Sequence, residues 1–133
     1  MKDRSTDAIE RGLEGSWLPT AAYVADREVP VGELRVARLD LRAGHYEIRD
    51  RSGTVVDSGG YRIDAAVSPL VMDMIGVEGP HAGRKLEAII TLYGDTLTVC
   101  YDLDGEARPE SMEPDDDQLL LRISYERDLR RPS

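Results

Sequence analysis

The stretch Leu13-Glu14-Gly15-Ser16-Trp17 decides the fold, because it lies where a helical pattern gives way to alternation. It contains the only tryptophan of a 133-residue chain that has no phenylalanine. After Gly15 the apolar residues no longer follow a helical period but alternate with polar ones. We therefore interpret this stretch as the start of the first strand of a β-structure.

Short segments of alternating apolar and polar residues follow Gly15, separated by turn sequences such as Ala43-Gly44 and Gly94-Asp95. Eight strands are predicted, at residues 16–24, 35–42, 45–50, 54–64, 70–76, 85–93, 96–102 and 118–127. Eight sequential antiparallel strands with one apolar face favour a small up-and-down barrel, which leaves no free sheet edge. The chain is thus predicted to be all-β and a single domain over residues 1–133, with a short helix in residues 1–12 and a frayed tail at residues 128–133.

Charge and composition restrict the partners. The chain has 26 acidic and 17 basic residues and a net charge of −9. Nucleic acids and anionic membrane surfaces bind clustered Lys and Arg, so we expect neither as a partner. No apolar run could span a bilayer, the N-terminal segment is charged where a signal peptide would be apolar, and the lone cysteine cannot form an internal disulfide. These features predict a cytoplasmic protein and leave its oligomeric state open.

Short motifs are distributed over about residues 13–127 of the chain. They are Leu13–Trp17, Gly59–Asp64, Pro69 with Met72–Met74, Glu78–Pro80 with Gly83, Gly94–Cys100, and Gly105 with Arg108-Pro109. In their order and spacing these motifs resemble a family of small bacterial lipocalin-like domains of the calycin type. The resemblance implies an eight-stranded lipocalin-like barrel with a short N-terminal helix.

The same resemblance implies a structural role for Gly15, Trp17 and Arg127. In barrels of this kind an arginine from the last strand packs across the indole at the start of the first strand. A guanidinium over the indole face adds about 0.5–2 kcal/mol of cation–π attraction. The alternative is an ordinary core tryptophan and a surface arginine.

Tyrosine usage is the main functional signal. Six tyrosines accompany the absence of phenylalanine, and alternation places five of them on the inward face. Because a buried hydroxyl needs a hydrogen-bond partner, a plain core would favour phenylalanine, whereas an apolar pocket with several hydroxyls suits a small ligand. The alternative is that these hydroxyls reach water at the barrel rims. The predicted ligand-binding residues are Tyr23, Tyr46, Tyr61, Met72, Met74, Ile90, Tyr101, Tyr125 and Arg108.

Two of these assignments have plainer alternatives. The methionines are equally suited to fill an ordinary core. Arg108 is a candidate cation at the barrel mouth, but its guanidinium would also pack against a neighbouring Asp or Glu.

Motifs for catalysis and metal binding are weak. His45 and His81 have no second ligand at metal-binding spacing, and Cys100 has no basic neighbour that would activate it. The acidic segment 102–106 lacks most of a calcium loop and is interpreted as a turn. We therefore assign no catalytic residue, no cofactor and no metal from the sequence.

Three functions remain open. The first is a binding module that holds a largely apolar molecule inside the barrel, neutral or cationic because an acidic surface repels anions. The second is a cofactor-independent cyclase or isomerase of natural-product biosynthesis that acts within the barrel. The third is a protein–protein interaction domain with a solid core. A hollow interior, and a tyrosine paired with a charged group inside it, would distinguish them.

Overall fold

The computed structural model describes residues 4–67, 69–79, 82–103, 105, 107–113 and 118–129. His81, the acidic residues 104, 106 and 115–117, and residues 130–133 lie outside these ranges. Within the described residues there are one α-helix, a short 3-10 helix at Val31–Glu33 and nine strands. The elements are α1 (Arg4–Leu13), β1 (Gly15–Val24), β2 (Arg27–Val29), β3 (Arg38–Arg42), β4 (His45–Arg49), β5 (Val55–Asp64), β6 (Leu70–Glu78), β7 (Lys85–Tyr93), β8 (Thr96–Asp102) and β9 (Leu120–Arg127).

Eight of the described strands close an antiparallel barrel. Each strand from β3 to β8 pairs with the next along the chain, and β1 pairs with both β3 and β9. This closure satisfies the sheet edges with backbone hydrogen bonds. The all-β, eight-stranded up-and-down barrel with a short N-terminal helix, predicted from alternation, is confirmed.

One described strand, β2, goes beyond the eight predicted. It forms a hairpin with the end of β1, in which Val24 pairs with Arg27. The intervening turn uses Ala25 at φ +55°. Glycine and asparagine are the usual residues at positive φ, so alanine at this position does not indicate the turn.

The hydrophobic core fills the barrel from the inward faces of its strands. Trp17, Leu41 and Leu97 have no exposed surface, and Leu13 of α1 packs against the same cluster. The helix thus lies at the end of the barrel that contains Trp17, which we call the floor. No described helix has the length and apolar character needed to span a bilayer.

A second apolar cluster lies on the outside of the barrel. Ile89, Cys100 and Leu120 are buried beneath Met112 of the segment that follows β8, and Arg122 donates a hydrogen bond of 3.1 Å to the Met112 carbonyl. Burial raises the pKa of the Cys100 thiol. The thiol is therefore held in its protonated, weakly nucleophilic form.

The pairing of β1 with β9 corrects the alternation predicted for the first strand. Pro19 pairs with Tyr125 and Ala21 with Ser124, so Thr20 forms a bulge. A bulge reverses which side chains point inward, and proline favours one because it has no N–H to donate to the ladder.

The end of the barrel also differs from the prediction. Asp128, predicted to begin a frayed tail, is buried. Its N–H donates a hydrogen bond of 2.8 Å to the Ser16 carbonyl, and its carboxylate lies 2.9 Å from the Arg38 guanidinium. The packed structure therefore continues past β9.

Candidate functional site

The floor of the barrel is formed by Trp17 and Arg127. The guanidinium carbon of Arg127 lies 4.4 Å from the centroid of the Trp17 ring. The indole N–H donates to the Leu13 carbonyl at 2.8 Å. Arg127 itself donates to the carbonyls of Gly12 at 2.5 Å and Glu14 at 2.6 Å, which joins the last strand to the end of α1. This arrangement closes one end of the barrel, and its contacts are structural.

Gly15 provides the space for that closure. It adopts φ +131°, and a Cβ at this position would lie 2.9 Å from Nη1 of Arg127. A side chain here would therefore combine backbone strain with a displaced guanidinium. Gly15, predicted to be structural together with Trp17 and Arg127, thus contributes through its backbone conformation and its lack of a side chain.

Beyond the floor, the barrel encloses a cavity of about 210 Å³. A cavity of about 150 Å³ is large enough for benzene, whereas sites for drug-sized ligands measure about 300–1,000 Å³. The space therefore suits one ring with a short substituent. Leu34, Arg35 and Val36 line the end remote from the floor, which we call the mouth. The remaining walls carry eight apolar side chains and four polar ones. The apolar side chains are those of Leu39, Ile48, Met72, Met74, Leu86, Val99, Leu121 and Ile123. The polar side chains are those of Tyr46, Asp57, Tyr101 and Tyr125.

A tyrosine and a carboxylate are paired within this cavity. The hydroxyl of Tyr46 donates a hydrogen bond of 3.3 Å to Oδ1 of Asp57, and both side chains are buried. Burial, the Asp57 charge and this hydrogen bond together raise the pKa of Tyr46 to about 12. Tyr46 is therefore a neutral donor at physiological pH.

Two further tyrosines contribute hydroxyls to the same space. Burial, and then the Asp57 charge, raise the pKa of Tyr101 to about 12. Burial also raises the pKa of Tyr125, and the proximity of Tyr101 adds to this effect. The cavity thus holds three protonated hydroxyls and one carboxylate on otherwise apolar walls.

Of the nine predicted ligand-binding residues, five line this cavity: Tyr46, Met72, Met74, Tyr101 and Tyr125. Ile90 is fully buried in the core without lining it. Tyr61 is also buried, but it borders a separate depression near Glu10 and Glu14. Burial raises the pKa of Tyr61.

The structure corrects the predicted inward placement of Tyr23. After the bulge at Thr20 it pairs with Arg122, and the Arg122 guanidinium lies 4.8 Å from its ring centroid. Ala22 is the neighbour that is fully buried. Tyr23 therefore lies on the outer face of the barrel.

Arg108 is a second correction. Its guanidinium lies 2.6 Å from Asp73 and 3.0 Å from Glu87, two carboxylates on the outer face of β6 and β7. It also donates to the Ala88 carbonyl at 3.0 Å. The ion-paired alternative is the one observed, because the segment after β8 crosses the outside of the barrel rather than its mouth.

Asp57 is a polar residue of the cavity that the sequence analysis does not single out. It lies two positions before Gly59 and four before Tyr61 on β5, so it shares their inward face. The backbone of Gly79 packs closely against it, since a Cβ at Gly79 would lie 2.8 Å from the Asp57 Cα. The alternation along β5 is sufficient to place Asp57 on the inward face, but carboxylates are rarely found at inward positions.

Other concave surfaces offer less defined chemistry. An open groove of about 720 Å³ runs along the outside of β3, β4 and β5. Three of its charged groups pair with one another, Arg49 lying 3.1 Å from Asp40 and 3.0 Å from Glu47. Within the described residues, no group of three or more His, Cys, Asp or Glu is placed to hold a metal ion.

Comparison of the chain with protein-family models, with curated proteins and with solved structures gives no match. Membership of the lipocalin-like family therefore stays a prediction from the sequence motifs.

Proposed function

We propose that this protein binds a small, largely apolar ring molecule, neutral or cationic, inside its barrel. The observation that carries the proposal is the cavity of about 210 Å³, which has mostly apolar walls, four polar groups in its interior and Arg35 at its mouth. Ligand sites commonly combine apolar walls with a few placed polar groups that fix orientation. A solid-cored interaction domain would need no such space. The single cysteine supports a cytoplasmic setting for this role.

The expected charge of the ligand, neutral or positive, follows from the carboxylate in the cavity and from the protein's net charge of −9. An acidic protein with a carboxylate inside the cavity repels anions during approach and after entry. The motif resemblance to lipocalin-like domains agrees with a binding role. The proposal does not require any catalytic group.

Binding is tested by isothermal titration calorimetry with 2-phenylethanol, a neutral single-ring probe of suitable size. Val99→Phe adds a ring on the cavity wall and is expected to abolish binding. Thr98→Phe is the matched control, since Thr98 is the neighbouring outward residue of β8, and it is expected to leave binding unchanged. Equal binding by wild type and Val99→Phe would show that the probe does not occupy the barrel.

The Tyr46–Asp57 pair favours a second candidate, a cofactor-independent isomerase. Asp57 would remove a proton next to a ligand carbonyl and return it to a carbon two positions further along the chain of the ligand. A tyrosine hydroxyl would donate a hydrogen bond to the carbonyl oxygen as negative charge develops. Atoms and electrons balance without a further reactant, because the double bond only changes position.

The test of this second function is conversion of cyclohex-3-enone to cyclohex-2-enone, followed by NMR. A rate above buffer that falls at least tenfold in Asp57→Asn is expected if the pair is catalytic. A rate equal to buffer, or one unaffected by Asp57→Asn, contradicts the isomerase and leaves the binding module.

A further inference from the structure

The polar side chains of the cavity come from two opposite walls of the barrel. In the closed order of strands, β9 lies opposite β5 and β8 lies opposite β4, with three strands between the members of each pair in either direction. Tyr46 and Asp57 belong to β4 and β5, whereas Tyr101 and Tyr125 belong to β8 and β9. The hydrogen bond between Tyr46 and Asp57 therefore joins groups of one wall, and the other two tyrosines form a separate pair.

The hydroxyls of this second pair are open to the cavity. Within the described residues, Tyr46 is the one cavity tyrosine whose hydroxyl is hydrogen-bonded to a protein group. Every fully enclosed side-chain nitrogen or oxygen of the described residues has a hydrogen-bond partner. Tyr125 is only 4% exposed and lines the cavity together with Tyr101. Its hydroxyl is therefore not enclosed by protein but reaches the space inside the barrel.

The two hydroxyls act as neutral donors. Burial is the main cause that raises the pKa of Tyr101 to about 12, and burial also raises the pKa of Tyr125. Tyr101 adds to the rise at Tyr125, because the two side chains are close to each other. A buried hydroxyl is stabilised when its proton meets an acceptor. The β8–β9 wall thus presents two adjacent donors to whatever enters the cavity.

A carbonyl oxygen is the ligand group that fits two adjacent donors. It has two lone pairs and accepts two hydrogen bonds. A ligand that carries only donors would leave both tyrosine protons without an acceptor. A carboxylate would accept both, but burial that disfavours a phenolate at Tyr101 and Tyr125 also disfavours a charge on the ligand. The wall therefore favours a neutral acceptor.

From this arrangement we infer that the ligand is a neutral ketone or aldehyde on a single ring, whose carbonyl oxygen accepts hydrogen bonds from Tyr101 and Tyr125. This inference rests on the proposed function, because it names the chemical class of ligand for the same cavity. The ring lies against the apolar walls, where residues such as Met72 and Ile123 provide contact. The role of the Tyr46–Asp57 pair does not enter this assignment.

Three probes of nearly identical shape test the inference by calorimetry: acetophenone, 2-phenylpropene and benzoate. The second replaces the carbonyl oxygen of acetophenone by a methylene group, and the third replaces its acetyl group by a carboxylate. Wild type is expected to bind benzoate at least about tenfold more weakly than acetophenone, because the interior disfavours a charge. Since the hydrocarbon is also the more apolar probe, its comparison with acetophenone is made through variants.

Tyr125→Phe and Tyr101→Phe each remove one donor and keep the ring. Each is expected to weaken acetophenone binding about three- to tenfold, whereas the affinity for 2-phenylpropene should fall less than about twofold. Tyr61→Phe is the matched control, because Tyr61 is a buried tyrosine that borders a different depression. It is expected to leave both affinities unchanged. Urea unfolding of each variant confirms that the fold is kept.

A spectroscopic measurement on wild type needs no variant. The infrared carbonyl stretch of bound acetophenone is expected at a lower frequency than in hexane, because hydrogen bonds weaken the carbonyl bond. In the variant that carries both Tyr101→Phe and Tyr125→Phe, the frequency is expected to return toward the value in hexane. This measurement reports the hydrogen bond itself, so it is independent of changes in the shape of the cavity.

The outcomes separate the two proposals. Acetophenone that binds with its carbonyl stretch at the hexane value, or with unchanged affinity in Tyr125→Phe, overturns the carbonyl assignment and leaves the binding function in place. An equal loss for 2-phenylpropene would assign the effect to cavity shape, and benzoate that binds more tightly than acetophenone would assign the donors to an anion; both overturn it. Failure of wild type to bind any of the three probes contradicts both proposals for ligands of this size.

Discussion

The guanidinium of Arg127 stacks on the indole of Trp17, with 4.4 Å between the guanidinium carbon and the ring centroid. The same guanidinium donates to two carbonyls near the end of α1 and to the Asp95 carboxylate. One side chain thus connects β9, β1, α1 and the turn before β8. The Gly-x-Trp that begins β1 is therefore explained as one half of a closure that the last strand completes.

Removal of the indole should be costly. Trp17→Ala is expected to lower the free energy of unfolding by about 3–5 kcal/mol, because it leaves a cavity in a closely packed floor. Arg127→Lys should cost about 1–3 kcal/mol, since lysine lacks the planar fork that reaches two carbonyls. Urea unfolding followed by circular dichroism measures both. Losses below about 1 kcal/mol for both variants would contradict a structural floor.

Gly15 and Gly53 allow strain and crowding to be measured separately. Both have positive φ, +131° and +88°, but only at Gly15 would a Cβ meet a neighbour, Nη1 of Arg127 at 2.9 Å. Gly53→Ala is expected to cost about 1 kcal/mol from backbone strain alone. Gly15→Ala should cost at least about 1 kcal/mol more, because Arg127 is held by its other contacts. Equal costs in urea unfolding would show that the guanidinium moves aside freely.

The barrel could be predicted because its strands alternate strictly and its turns use typical residues. Inward residues such as Leu39, Tyr46, Met72 and Val99 follow from a period of two alone. The prediction fails where the period is interrupted: the bulge at Thr20 turns Tyr23 outward, and no residue type indicates it except the preceding Pro19.

The candidate site was less predictable than the fold. Tyrosines at inward positions were recognisable, but Asp57 was not singled out, although the same alternation places it inside. Arg108 could not be placed, because the path of the segment after β8 depends on tertiary contacts with Asp73 and Glu87. Sequence patterns report the face of a strand, whereas they do not report how a long connection crosses the barrel.

High pH should destabilise the fold through the cavity tyrosines. The pKa values of Tyr46 and Tyr101 are raised from 10.0 to about 12 in the folded protein. Below pH 10 both states keep these protons, so stability is complete. Between about pH 10 and 12 the unfolded chain loses them first, so stability falls by up to about 1.4 kcal/mol per pH unit for each tyrosine.

Tyr46→Phe tests this linkage. The variant is expected to be less stable at neutral pH by about 1–3 kcal/mol, because Asp57 loses a donor. Its stability should nevertheless fall less steeply than that of wild type between pH 10 and 12. Urea unfolding at intervals from pH 7 to pH 11.5 provides the slopes, and the range from pH 7 to 9 is the internal control. Parallel curves above pH 10 would exclude Tyr46 as a linked group.

Because Tyr101 and Tyr61 lie at different places in the barrel, their substitution by phenylalanine should affect ligand binding differently. Both rings are inward on the barrel, but only Tyr101 lines the cavity, whereas Tyr61 borders the depression near the helix. Tyr101→Phe is expected to weaken binding of 2-phenylethanol by about 0.5–1.5 kcal/mol, because it removes a hydroxyl that can pair with the ligand. Tyr61→Phe removes an equivalent hydroxyl from a buried ring outside the cavity, so it is the matched control and should leave the affinity unchanged. Calorimetry on both variants, with unfolding curves to exclude a loss of fold, measures the difference. If Tyr61→Phe weakened binding as much as Tyr101→Phe, the ligand would have to lie nearer the floor than the cavity allows, and the proposed site would be wrong.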